Sequence, residues 1–219
     1  MKNNICFKLS LMVLLTILGF SNLSAQKKVV KKPAGSNLKT TLGFISEKMK
    51  SQVNYTDSKG DAGCPNQIVK KIVYQEVAFT ADSSLELKLN EEATRSACST
   101  NLINNDKATS TSVAQDDMQI SVPLRQLNSS AIKTGSCQLE TGYQRKEGNC
   151  FFVSLETFSN LKAFKIEKIN SFKFDDKQVT DKKAISFTTN QYQIYFSDEE
   201  TAESIAKAFA QAIKLSGGN

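Results

Sequence analysis

Apolar residues recur along this chain with two periods, and the change of period divides it. Between residues 38 and 53, Leu38, Leu42, Ile45, Met49 and Val53 share one stripe while Lys39, Glu47, Lys48 and Lys50 lie off it. That spacing predicts an amphipathic helix, capped by Ser36 or Asn37. Residues 54–65 are polar and read as a loop. From there to residue 197 the period is two, the mark of strands. Residues 67–80 carry apolar side chains on both parities, Val69, Val73, Val77 and Phe79 against Ile68, Ile72 and Tyr74, which implies a bulge or a strand covered on two faces. Leu85, Leu87 and Leu89 alternate with Glu86, Lys88 and Asn90, and the turn at Asp82, Ser83 and Ser84 makes the two runs a hairpin. Residues 91–116, rich in Ser, Thr, Asn and Ala, show no period and read as a long exposed loop.

Further strands follow from Met118, Ile120, Val122 and Leu124, from residues 131–133, from Phe151, Val153 and Leu155, and from Phe164, Ile166, Ile169, Phe172 and Phe174. Asp175, Asp176 and Lys177 read as a turn. Two last runs, 184–188 and 192–197, predict a hairpin in which Ile185 and Phe187 share a face with Tyr192, Ile194 and Phe196. A helix to about residue 215 closes the chain, with Ser197 and Glu200 as a capping box and Gly217 and Gly218 as its stop. Its stripe is Ala202, Ile205, Ala206, Phe209, Ala212 and Ile213. Strands gathered between two helices, without alternation, define an α+β class. The expected architecture is an antiparallel sheet or partly open barrel of about seven strands, with an N-terminal amphipathic helix and a C-terminal packing helix.

The first residues change the picture of where the chain works. Lys2 and Lys8, an apolar run over residues 9–20 and the small pair Ser24-Ala25 form a secretory signal over residues 1–25, too short for a membrane span of about 20 residues. No second such run follows. Lys2 and Lys8 leave with the signal, so 28 basic residues become 26 against 22 acidic ones. Lys27, Lys28, Lys31 and Lys32 account for the excess, which makes residues 26–35 a basic, solvated leader with a weak envelope contact as its sharper use, and residues 36–219 one α+β domain.

Cys64, Cys98, Cys137 and Cys150 remain after signal removal, and an even count in an exported chain predicts two disulfides. Three pairings are open; Cys137 with Cys150, closing the polar segment 138–149, and hence Cys64 with Cys98, is the expected one. The chain has no histidine, which removes His-activated nucleophiles, His-ligated zinc and the commonest general base. Asp116-Asp117 and Asp175-Asp176 are adjacent in sequence, and neighbours in a strand point to opposite faces, so neither pair presents two carboxylates to one substrate. No phosphate loop, cofactor fingerprint or metal motif is present. Lys162, Lys165, Lys168 and Lys173 interleave with Phe164, Phe172 and Phe174, but the alternation assigns the rings to a core instead of a nucleic-acid platform.

The runs 184–188 and 192–197, followed by a helix with Ile205, Phe209 and Ile213 on its buried face, resemble a pleckstrin-homology-like domain; residues 118–127 look similar to one of its inner strands. The resemblance implies architecture only. The tryptophan usual in that family's last helix is absent, and residues 81–84 carry none of the basic side chains that phosphoinositide-binding members use. The expectation is a non-catalytic exported binding or scaffold domain, periplasmic or at the cell surface, with an unknown protein or small-molecule ligand, no nucleic acid, no cofactor and no catalytic residue. The alternative is a His-free envelope enzyme working through carboxylates or Ser and Lys, and the segments 91–116 and 138–149 are where either function would sit.

Overall fold

A computed structural model describes residues 37–50, 52–60, 63–101, 103, 106–174 and 177–218, with only the backbone described for Tyr74 and residues 177–182. The expected signal, the lysines of the leader, and Asp175 and Asp176 lie outside the described residues.

The two helices form where the stripes predicted them, with adjusted ends. Helix α1, Leu38–Lys48, starts at Asn37, whose side chain accepts from the Thr40 N–H at 3.0 Å. It ends before Val53 because the chain is needed as strand there. Helix α2, Glu199–Leu215, is capped by Asp198 and not by Ser197: the Asp198 carboxylate accepts from the Thr201 N–H at 2.7 Å. A carboxylate at the positive end of the helix dipole outcompetes a hydroxyl one residue earlier. Its stop is a Schellman motif, with Gly217 at φ 84° and the Gly218 N–H donating to the Ile213 carbonyl at 2.9 Å.

Ten strands among the described residues make two antiparallel sheets. The larger contains β1 (Val53–Lys59), β2 (Asn66–Phe79), β3 (Ser84–Thr100), β4 (Lys107–Pro123), β6 (Gln144–Glu147), β8 (Phe164–Phe174) and β9 (Lys177–Thr189), in the order β6-β1-β2-β3-β4-β8-β9. The smaller has β5 (Lys133–Ser136), β7 (Phe151–Glu156) and β10 (Gln191–Phe196), in the order β10-β7-β5. The architecture is the expected α+β one, and the large sheet is open, with β6 and β9 at its edges. The bulge expected in the long second strand is the register shift between Ile72 and Tyr74.

Three readings of the sequence are corrected. The first half of residues 54–65 is β1, not a loop, and most of residues 91–116 continue β3 and β4 as a long hairpin. The terminal hairpin does not form: β9 pairs with β8, and β10 pairs with β7 in the other sheet. The chain turns the corner at Asn190, whose carbonyl accepts from both the Thr157 N–H at 2.9 Å and the Thr157 hydroxyl at 3.2 Å. Ile194 and Phe196 are therefore core, while Ile185 and Phe187 are exposed.

The core occupies one end of the large sheet. Leu85, Leu87 and Leu89 of β3 sit opposite Val122, Ile120 and Met118 of β4, with Phe164 and Ile166 of β8 beside them. Over this patch lie the small sheet, α1 and α2, the latter through Ile205, Phe209 and Ile213. Each such fully buried side chain contributes roughly 1.5–3 kcal/mol. Phe172 and Phe174, expected in the core, are 44% and 46% exposed, because β8 runs on past the end of that cover.

Candidate functional site

Where the apolar core stops, the same face of the large sheet turns ionic. Side chains at alternating positions share a face. The register therefore continues Leu87 and Leu89 into Glu91 on β3, and Ile120 and Met118 into Asp116 on β4. Glu91 and Asp116 are direct cross-strand partners. Two like charges so placed repel, and each has a lysine on its outer side: the Lys70 ammonium lies 2.6 Å from Glu91, and that of Lys168 2.5 Å from Asp116. Asn170 adds a donor to Asp116 at 2.6 Å. The result is a row, Lys70, Glu91, Asp116, Lys168, crossing β2, β3, β4 and β8, with both carboxylates less than one-fifth exposed.

Strand β10 stands over this row. Its residues Gln191, Tyr192, Gln193 and Tyr195, with the corner at Thr189 and Asn190, form the wall of a cleft of about 630 Å³ whose floor is Glu91, Asp116, Met118 and Lys168. Tyr192 packs its ring 6.2 Å from that of Phe164, centroid to centroid, and so joins the core to the cleft. Burial pushes the phenols of Tyr55, Tyr192 and Tyr195 above their usual range, so each stays a neutral hydrogen-bonding group. Burial alone would lower the Lys70 ammonium, but the charge and hydrogen bond of Glu91, with Tyr55 and Tyr195 nearby, outweigh it and raise it.

The other segment marked in the sequence, residues 138–149, contributes β6, which pairs with β1. Arg145 forms an ion pair with the buried Asp57 and lies 4.2 Å over the Tyr55 ring, which seals that edge. The structure joins Cys137 to Cys150 and Cys64 to Cys98, the expected pairs, each with Cα atoms 5.3 Å apart. Asp117 points to the opposite face from Asp116, where it accepts from the Asn90 amide. Among the described residues no group of three or more Cys, Asp or Glu is placed to hold a metal ion, and no helix is long and apolar enough to cross a membrane.

Glu91 and Asp116 are the two ends of the segment the sequence singled out; Lys70, Lys168, Tyr192, Gln193 and Tyr195 were not marked as site residues. Lys70, Glu91, Asp116, Lys168 and Tyr192 are polar residues at core-facing parity, whereas Gln193 and Tyr195 lie on the other face of β10, and both facts are visible only once the register is known. No family model, curated protein or solved structure matches the chain.

Proposed function

We propose that the chain is a non-catalytic, exported binding domain whose ligand occupies the cleft between β10 and the face of β3, β4 and β8. One observation carries this reading: the charges of the floor are matched in pairs, Lys70 with Glu91 and Lys168 with Asp116, beneath a strand that has a neighbour on one side only. Matched, half-buried charges favour shape and charge complementarity. Neutral tyrosines at the rim supply apolar area with a polar tip, as binding surfaces use them. The two disulfides fit an oxidising compartment and support export, as does the signal pattern of residues 1–25. The likeness to pleckstrin-homology-like domains is retained as one of architecture, supported by α2 covering one end of an antiparallel sheet.

Pull-down of the tagged mature chain from the envelope of its own cell tests the reading. Capture of a ligand by the parent, reduced at least ten-fold by Glu91→Gln with Asp116→Asn at unchanged melting temperature, is the expected result. Capture indifferent to both changes would overturn it.

A second reading, a His-free envelope enzyme, rests on Glu91 and Asp116 standing opposite each other under the cleft. A hydrolase activity lost in Asp116→Asn, with ligand capture intact, would favour it.

A further inference from the structure

We infer that the ligand is an extended polypeptide segment, added as a strand to the open edge of β10; this rests on the cleft being the binding site. The hydrogen-bond phase of the small sheet carries the inference. In an antiparallel ladder, residues alternate between bonding one neighbour and the other. The Thr157 N–H donates to the Asn190 carbonyl at 2.9 Å, so residues 190 and 157 form a bonded pair. With the register Tyr192 to Leu155 and Ile194 to Val153, the even-numbered residues Tyr192, Ile194 and Phe196 therefore bond β7. The other side of β7 agrees: Cys137 donates to the Cys150 carbonyl and Asn128 to that of Glu156, both at 2.8 Å, so the even-numbered residues of β7 face away from β10.

Gln191, Gln193 and Tyr195 thus aim their backbone groups away from β7, along the open edge of a strand that lines the cleft. The Gln191 N–H has the Thr189 hydroxyl at 3.4 Å. The N–H and C=O of Gln193 and Tyr195 have no partner among the described residues. Unpaired strand groups beside a floor of side chains are the two halves of recognition by strand addition, the backbone giving affinity and the floor selecting side chains. Lys70 and Lys168 match Glu91 and Asp116, so the floor carries no net charge and the affinity of an added strand rests on its backbone.

Of the other edge strands β5 and β6 are only four residues long, and the outer edge of β9, the longest, is less suited. It has a register shift against β8 between Asn170 and Phe172 and an exposed lysine, Lys183, both of which discourage strand pairing.

A fluorescein-labelled octapeptide of alternating Thr and Lys tests the inference against a twin N-methylated at every peptide bond. The parent protein is expected to bind the first at least ten-fold more tightly than the twin. Gln193→Pro removes an N–H that β7 does not use and is expected to weaken binding at least ten-fold, with the melting temperature preserved. Equal binding of the N-methylated twin, which leaves the protein untouched, overturns strand addition. So does failure of the parent to bind at millimolar peptide, or sedimentation showing that a second copy occupies the edge. If Glu91→Gln with Asp116→Asn abolishes capture from the envelope but Gln193→Pro does not, the cleft stands and the strand does not; if neither matters, the cleft itself fails.

Discussion

Tyr55, Tyr192, Tyr195 and Lys70 give the fold a common response to alkali. A phenol whose pKa is raised on folding contributes stability in full below its ordinary value of 10.0. That contribution is lost as pH rises past this value, because the unfolded chain ionises first. The raised Lys70 ammonium runs the same way, stabilising below its ordinary 10.5 and losing that contribution as pH passes through the folded value. Stability is therefore expected to fall above about pH 10, and Tyr192→Phe to flatten the fall. Urea midpoints at pH 8 and pH 11 measure both; equal pH dependence in parent and variant would contradict the assignment. The cap offers a second check at this scale. Asp198→Ala is expected to cost about 1 kcal/mol, as loss of an N-cap does, and Ser197→Ala less than about 0.5 kcal/mol.

At the scale of elements, the sequence exposes those strands that have one dry face. Leu85, Leu87 and Leu89 announce the near half of β3, but its far half carries Glu91, Ala93 and Arg95 on the same face. Among the described residues only the tyrosine-lined wall of the cleft stands over its start, so no apolar alternation marks it, and the two carboxylates of the row lie inside an apparent loop. The expected terminal hairpin failed for a different reason. Parity in 184–188 and 192–197 is correct strand by strand, but which strand each pairs with is decided by Asn190 and Thr157, long-range contacts that no local pattern encodes. The distinction has energetic consequences. Ile194→Ala is expected to cost about 2–5 kcal/mol, as truncation of a buried Ile does, whereas Phe187→Ser on exposed β9 costs under about 1 kcal/mol. Amide exchange reads the pairing directly: the N–H groups of Tyr192, Ile194 and Phe196 are expected to be protected, and those of Gln193 and Tyr195 to exchange faster in the free protein. Uniform protection along β10 would mean that its outer edge is already taken.

On the scale of the whole molecule, the disulfides divide the labour of holding a core at one end and a long, sparsely covered sheet at the other. Cys150 is buried against Val53 and Ile72, and its bond to Cys137 fastens the connection that carries β6 onto β1. Cys64 precedes β2 and Cys98 lies near the far end of β3, where the Cys98 N–H donates to the Asn66 side chain at 3.0 Å. Chain entropy values the two loops at about 3 and about 4 kcal/mol, so by loop length the Cys64–Cys98 bond would matter more for global stability. Position argues the reverse. The far ends of β2 and β3 contribute little to the main core, so opening there leaves α1, α2 and the small sheet in place. Replacing Cys137 and Cys150 by Ser is therefore expected to lower global stability by the full amount of about 3 kcal/mol, because a buried cluster loosens with it. Replacing Cys64 and Cys98 by Ser is expected to lower amide protection in residues 94–100 and 107–112 first, with the midpoint of global unfolding shifted less than its loop length implies. Calorimetry with residue-resolved exchange on both double variants distinguishes the two; a larger midpoint loss from the Cys64 and Cys98 pair would show that the far sheet and the core unfold as one unit.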